Sequence, residues 1–286
     1  MKEYVISVDL GATNLRVGLV SSDLEIIEVN RERTSKNADD LVNQICRLIN
    51  ALPYKQYNVT KVGISACGLI ERDFIKILPN LGITNLDLKK IIEDKFDLKC
   101  EIKNDANCTA LAEATFGSTK DVEDSYFITI SSGIGGCLIY KKEMVDLAFE
   151  IGHTLVAYNG GYEEFEKIAS GNGLVKLCKD SDLNVENAAG FFSKCESKDQ
   201  NALEVLDKWM NIVSIYIANL QMEYNTDKIC LSGGVMKSSH LFFDKLQERT
   251  NKLIERFPLK PIKLVLAHFD QDAGLMGGVS VAFHIK

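Results

Sequence analysis

The run VISVDLGATNLRVGLV, from Val5 to Val20, decides how the rest of the chain is read. Its apolar, β-branched segments VISV and LRVGLV have strand composition, and they flank a short turn, DLGATN, that holds Gly11. Two such strands around a Gly-containing turn predict a hairpin. Asp9 stands at the end of the first strand and Thr13 within the turn, which places a metal-facing carboxylate and a hydroxyl beside lightly covered backbone. Backbone N–H groups presented without a Cβ in the way suit phosphate oxygens. From about residue 125 the pattern restarts, with SYFITISS as a strand, SGIGG as the turn and CLIY as a second strand. This is either a coincidence of common turns or an internal duplication, and a duplication predicts two similar lobes facing a cleft.

Between and after the hairpins the chain alternates further. EIIEV reads as a strand, Ala38 to Leu52 as a helix ended by Pro53, KVGISA as a buried strand and Leu86–Phe96 as an amphipathic helix. EIKNDAN is a strand whose end, Asn104-Asp105, offers cap chemistry to an Ala-rich helix running to Phe116. Asn201–Tyr224 has the apolar spacing of a long, core-packed helix. KICLSGGV is a buried strand entering the Gly233-Gly234 turn, followed by a helix from about Ser239 to Phe257. IKLVLA is the last strand, and DAGLMGGVSVAF continues as a helix of small residues. The expected division is a smaller lobe of residues 1–118 with 272–286 and a larger one of 119–271.

Composition narrows the function classes. A chain of 286 residues, 46% hydrophobic and 26% charged, is an ordinary globular protein able to bury a large core. A net charge of −7 argues against nucleic acid, which requires a basic face. Eight cysteines are scattered singly with no CxxC pair, several within apolar runs, so reduced thiols and a cytoplasmic location are expected. No signal peptide is apparent, and no apolar run reaches the roughly 20 residues that span a bilayer, so no membrane association is expected.

Three Gly-rich turns, each after an apolar strand, carry more weight together than singly. The second adds Ser131 and Ser132; the third, LSGGV, has no charge and suits a flat neutral group such as a nucleoside. No GxxxxGK[ST] and no strand-turn-helix GxGxxG occurs, which argues against P-loop kinases and Rossmann dehydrogenases. Asp105 alone would read as a helix cap, or else as a general base at a rigid strand-to-helix junction. EIGHTLVAYNGGYEEFEKIASG, Glu150 to Gly171, crowds one histidine and four carboxylates around a Gly-Gly turn. It could be a metal site, a general-base site, a polar grip on a substrate or a solvated loop.

Six motifs make the chain resemble the ROK family of bacterial sugar kinases and repressors, which share the two-lobed, α/β, actin-like (ribonuclease H-like) ATPase fold with a central cleft. VDLGATNLRVGLV is similar to the family's first phosphate motif, SSGIGG to the second, LSGGV to its adenosine motif, LPNLG to its sugar-facing Asn segment, KNDANCTALAE to its catalytic segment and EIGH to its sugar signature. The resemblance implies that Asp105 is the general base and that Gly68, Asn80, Asn104, Glu150, His153 and Glu166 grip sugar hydroxyls. It implies that ATP is held by Asp9, Gly11, Thr13, Asn14, Ser132, Gly133, Gly135, Gly233 and Gly234, with Asp9 reaching Mg²⁺ through water. The implied reaction is ATP-dependent phosphorylation of a hexose 6-hydroxyl, by a homodimer.

Departures from the family pattern also matter. Its cysteine-bearing zinc loop after E-x-G-H is missing: residues 154–165 contain no cysteine, Glu164 falls where the last one would be, and no zinc is expected. Packing and hydrogen bonds must position His153 instead, with Glu163 and Glu164 facing solvent or supporting the turn. Asn14 stands where many members have Lys, and SACG, which holds Gly68, replaces the usual Pro-Gly turn before the sugar Asn. The first strand begins by Tyr4, so no helix-turn-helix is expected before it. IGHTL, FITISSGIGG, FEKIASG and LAHFDQDAGLMGG are similar to segments of bacterial N-acetylmannosamine kinases, which makes N-acetylmannosamine, in sialic acid catabolism, the preferred substrate. Glucose, fructose or allose kinases are the alternatives, and a non-catalytic sugar sensor is the reading of a different class.

Overall fold

Val5, Ile6, Val8 and Leu10 are fully buried in the first strand, Tyr4–Leu10, and its neighbour Asn14–Ser21 is buried along most of its length. Strands covered on both faces read as unbroken apolar runs rather than alternations, which is why this stretch shows no polar face. In this computed structural model, which describes residues 2–145, 147, 149–269 and 272–286, the two strands pair antiparallel from Tyr4–Ser21 to Leu10–Leu15. Asp270 and Gln271, inside LAHFDQDAGLMGG, lie outside the described residues.

The chain divides into two compact units, Met1–Gly117 with Phe269–Lys286, and Ser118–His268. In the first, a five-stranded sheet runs in the order Ile26–Arg33, Asn14–Ser21, Tyr4–Leu10, Lys61–Ala66, Lys99–Asn104. The first three strands are antiparallel, and the last three are parallel. The second unit repeats that order and sense with Glu143–Met144, Ile134–Tyr140, Ser125–Ile130, Lys228–Ser232 and Leu264–Leu266. The restart of the hairpin pattern near residue 125 is therefore a duplication of topology.

Helices cover the sheet of the first unit: Ala38–Ala51, Leu88–Phe96, Asp105–Thr115 and Ala273–His284. The last approaches the sheet so closely that a Cβ on Gly63 would stand 2.0 Å from the Gly278 carbonyl oxygen. On its other side a Cβ on Gly277 would stand 2.7 Å from the Cys108 Cβ. Only glycine allows backbone to lie this near backbone. In the second unit the long helix Gln200–Tyr224 supplies much of the core, including fully buried Trp209. Among the described residues no helix is long and apolar enough to cross a membrane.

Several elements differ from the sequence expectation. The helix expected from Leu86 starts at Leu88, because Asp87 caps it and Ile83–Leu86 joins a three-stranded sheet with Leu69–Glu71 and Phe74–Leu78. The helix expected over 239–257 spans Phe243–Ile254 and follows a 3-10 stretch, Gly234–Leu241. Phe242 breaks the two apart: it sits at φ −142° with its ring buried against Trp209, 4.9 Å between centroids. The second strand of the second hairpin begins at Ile134, inside SGIGG, because Gly135 and Gly136 pair with Thr129 and Ile128. The helices Gly171–Lys179 and Ala188–Glu196 were not foreseen in the sequence.

Gly63→Ala must push the last helix off the sheet, and overpacking of this kind costs on the order of 3 kcal/mol. Gly190→Ala, where the new Cβ meets nothing nearer than 3.7 Å, is the control and gains up to about 1 kcal/mol from helix propensity. Urea midpoints of the two variants check both expectations.

Candidate active site

The first Gly turn is braced from the side. Gly11 N–H donates to the Asn14 carbonyl at 3.1 Å, the Thr34 hydroxyl donates to the Gly11 carbonyl at 2.7 Å, and Thr34 N–H donates to the Thr13 carbonyl at 3.0 Å. These bonds consume carbonyls and leave the Thr13 and Asn14 side chains exposed and without partners among the described residues. Asp9, Gly11, Ala12, Thr13, Asn14, Arg16, Arg31 and Asp272 line a polar recess of about 640 Å³.

Asp9 is held by Arg16, whose Nε and second terminal nitrogen both donate to Asp9 Oδ2 at 2.8 Å, while its other terminal nitrogen reaches Asp272 at 2.9 Å. Oδ1 of Asp9 lies beside Gly274, where a Cβ would stand only 2.3 Å away. Burial pushes the Asp9 carboxyl above its ordinary value, against the pull of Arg16. A hard carboxylate oxygen in a cradle that only glycine leaves open fits Mg²⁺, which binds through one or two carboxylates and substrate phosphates. Among the described residues no cluster of three or more His, Cys, Asp or Glu could hold a metal by itself.

At the end of Lys99–Asn104, Asn104 caps the next helix, its Oδ1 accepting from Ala106 N–H at 2.9 Å and its Nδ2 donating to the Gly68 carbonyl at 2.8 Å. The cap is therefore Asn104, and Asp105 is the first helical residue, with a solvent-exposed side chain and no cationic partner among the described residues. Although open to solvent on one side, the carboxylate is crowded by protein on the others. That crowding raises its pKa, the like charge of Asp9 adds to the effect, and the Ala106 N–H opposes it. Gly68 is required by the backbone: φ is 147°, and a Cβ would stand 2.2 Å from the Ile77 carbonyl oxygen. Asn80 is exposed in the short 3-10 turn Pro79–Leu81.

In the second unit, Ser131 ties the two remaining Gly turns together. Its hydroxyl accepts from Gly234 N–H at 3.2 Å, its N–H donates to the Gly133 carbonyl at 2.8 Å, and its carbonyl accepts from Gly171 N–H at 2.7 Å. Gly233 sits at φ 97° against the Ile130 carbonyl, so this turn tolerates no side chain there. Ser132 is exposed; Gly133 and Gly135 are partly covered. Glu166 accepts the Ile134 N–H at 2.7 Å through Oε2, and a Cβ on either Gly133 or Gly152 would press on that oxygen. One carboxylate thus spans from the SGIGG turn to the Glu150–His153 turn.

His153 follows exposed Glu150 in the 3-10 turn Ile151–His153 and donates its Nδ1–H to the Glu164 carboxylate at Oε2, 2.7 Å away. Lys167 Nζ meets the other oxygen of Glu164 at 2.6 Å, and Lys176 pairs with Glu163. The two acids therefore support the turn rather than face solvent. They lie on a hairpin, Leu155–Tyr158 and Gly161–Glu164, closed by Asn159 and Gly160, both at positive φ as a type I′ turn requires. Tyr216 of the long helix anchors the same region, donating to the Ile151 carbonyl at 3.3 Å and stacking on Phe165 with centroids 3.9 Å apart.

The model of the ROK family matches residues 5–284. The chain belongs to the ROK family. It is 27% identical to the N-acetylmannosamine kinase of Escherichia fergusonii, with 97% of each chain covered. It is 25% identical to the glucokinase of Halalkalibacterium halodurans, covering 96% of this chain and 93% of that one. Among solved structures, a ROK hexokinase from Thermus thermophilus superposes with a TM-score of 0.83 at 22% identity, covering 99% of this chain and 98% of the other. The fold of this ROK chain is the α/β actin-like ATPase fold.

The first unit of this ROK protein brings together Asp9, Gly11, Thr13 and Asn14 and carries Gly68, Asn80, Asn104 and Asp105; the second brings Ser132, Gly133, Gly135, Gly233 and Gly234 together and carries Glu150, His153 and Glu166. Sequence reasoning missed Arg16, Thr34, Ser131 as a tie, and Asp272. Arg16 was findable, because counting outward from the hairpin turn sets it opposite Asp9. Asp272 carried no local signal.

A carboxylate whose folded pKa is raised stabilises the fold below its unfolded pKa, and that contribution is lost as pH climbs through the folded value. Asp105→Asn is therefore expected to match or exceed the wild-type Tm at pH 7, with the gap closing as pH falls through the carboxylate range. Calorimetric melts across pH 3 to 7 check this.

Proposed function

We propose that this ROK-family protein is an ATP-dependent sugar kinase that phosphorylates the 6-hydroxyl of N-acetylmannosamine. Asp105 carries the proposal: an exposed carboxylate at a rigid strand-to-helix junction, relieved of cap duty by Asn104 and raised in basicity by its surroundings. A general base is most effective when its pKa lies nearer the working pH. Asp105 takes the proton of the attacking hydroxyl, and its product is a neutral carboxylic acid that the same crowding favours. Phosphoryl transfer asks little more of the protein than positioning and charge stabilisation.

In the first unit the turn after Gly11 presents backbone N–H groups, the Thr13 hydroxyl and the Asn14 amide to phosphate oxygens, and Asp9 would hold Mg²⁺ through water. Bound there, the ion would neutralise charge on the β- and γ-phosphates. In the second unit Ser132, Gly133 and Gly135 serve phosphate, and Gly233 and Gly234 pack on the nucleoside. Glu150, His153 and Glu166 there serve sugar hydroxyls; in the first unit the same role falls to Asn80, to the remaining amide hydrogen and lone pair of Asn104, and to the Gly68 backbone. The kinases among its relatives support the reading, including a ROK glucokinase from Streptomyces griseus solved with glucose and AMPPNP. The preference for N-acetylmannosamine rests on the four segments noted above and on relatives of that name at 27% and 28% identity. Glucokinases at 24% and 25% identity support glucose as the second reading. The proposal includes a homodimer in the cytoplasm, and sedimentation equilibrium tests the dimer.

A coupled assay with ATP and Mg²⁺ is expected to give turnover on N-acetylmannosamine with a higher kcat/KM than on N-acetylglucosamine, glucose or fructose. Asp105→Asn is expected to lower kcat by about 10³-fold with sugar binding retained. No turnover on any of the four, with sugar bound equally well by the variant, sinks the kinase reading. A higher kcat/KM for glucose replaces the substrate.

A further inference from the structure

The ring of His153 has two nitrogens, and only Nδ1 is engaged, by Glu164 Oε2 at 2.7 Å. Among the described residues Nε2 has no partner, and the side chain is 61% exposed. A histidine in a short turn can rotate about two bonds, and this contact fixes which nitrogen is presented. Glu164 is itself restrained three ways. Its backbone pairs with Leu155 across the hairpin, its second oxygen receives Lys167 at 2.6 Å, and Phe165 beside it is buried, with its N–H donated to the Thr154 carbonyl at 2.8 Å.

We infer that Glu164 is a positioning residue for sugar binding: it locks the His153 ring with Nδ1 inward and so presents Nε2 to a sugar oxygen. The inference rests on the kinase reading above and deepens it. Lys167 completes the device by holding the carboxylate of Glu164, which keeps that group from turning to solvent. The contact also settles the tautomer of the ring. A proton on Nδ1 is held by the carboxylate, so a protonated ring donates from Nε2 to a hydroxyl or ring oxygen, while a neutral one accepts there from a hydroxyl. Glu164 favours the protonated ring, and the charges of Glu150 and Glu166 push the same way, so His153 stays charged to higher pH than a free histidine. Lys167 and Lys176 are the cations nearby, and each is paired with an acid of the same hairpin. A sugar oxygen accepting from Nε2 loses its donor as pH rises through the raised His153 pKa, so sugar KM should climb there.

The test measures sugar and ATP KM against pH for the wild type, His153→Ala, Glu164→Gln and Glu163→Gln, with thermal melts to confirm folding. Glu164→Gln keeps the shape and one acceptor oxygen but loses the charge. It is expected to raise sugar KM about tenfold, leave ATP KM within twofold, and move the rise of sugar KM to lower pH. Glu163→Gln, whose partner is Lys176, is expected to leave that pH profile in place. NMR titration of the His153 ring in the sugar-free protein should show its pKa lowered in Glu164→Gln and unmoved in Glu163→Gln. If His153→Ala raises sugar KM while Glu164→Gln leaves both KM and ring pKa at wild-type values, the inference is wrong and the kinase reading stands. A wild type without turnover on any sugar overturns both.

Discussion

Backbone meets backbone where Gly63 faces Gly278, and the first unit depends on that contact. A side chain at either position would hold the last helix away from the sheet, and with it the residues that precede it in the chain. Because the helix lies flush, its first turn arrives beside the end of the first strand, with Gly274 leaving room for the carboxylate of Asp9 and Asp272 meeting Arg16. Residues far apart in the chain are thereby fixed around one acidic group. The buried Ser7 hydroxyl, donated to the Leu275 carbonyl at 2.6 Å, closes the same seam with a polar contact that water cannot compete for.

The second unit solves a different problem, that of holding several loops still. Loops carry backbone groups that need partners and side chains that lose entropy when fixed. Here single groups serve several loops at once: Ser131 binds three segments through three atoms, and Glu166 accepts from one turn while filling the space left by glycine in another. Tyr216 extends the rigid long helix into the turn before His153. Precision is therefore borrowed from the helix and sheet rather than generated in the loops.

The large elements were legible because burial writes itself into composition. VISV, KVGISA and SYFITI read as strands since both faces of each are covered, and the repeated hairpin announced two units of like topology. Short elements were not, since Leu69–Glu71, Phe74–Leu78 and Ile83–Leu86 alternate over too few residues to show a period. Phe242 illustrates a further limit. A helix continued on propensity alone was broken by the pull of one ring into the core around Trp209. Asp9, Asp105 and His153 stood out as chemistry next to turns, whereas the groups that hold them, Arg16, Asp272 and Glu164, acquire meaning only from pairing. Arg16 could be reached by counting across the hairpin and Asp272 by no local rule.

None of the eight cysteines is in a disulfide, and four lie in each unit: Cys46, Cys67, Cys100 and Cys108 in one, Cys137, Cys178, Cys195 and Cys230 in the other. All but Cys67 are buried, and burial pushes even that thiol up to about 11, so the reactive thiolate is scarce at neutral pH. A thiol reagent in solution must then wait for each unit to open locally before it can react with the buried thiols. The rate at which the three buried thiols of the first unit and the four of the second are modified measures the free energy of that opening. The protein thus carries, in its own sequence, a separate stability gauge for each of its two halves.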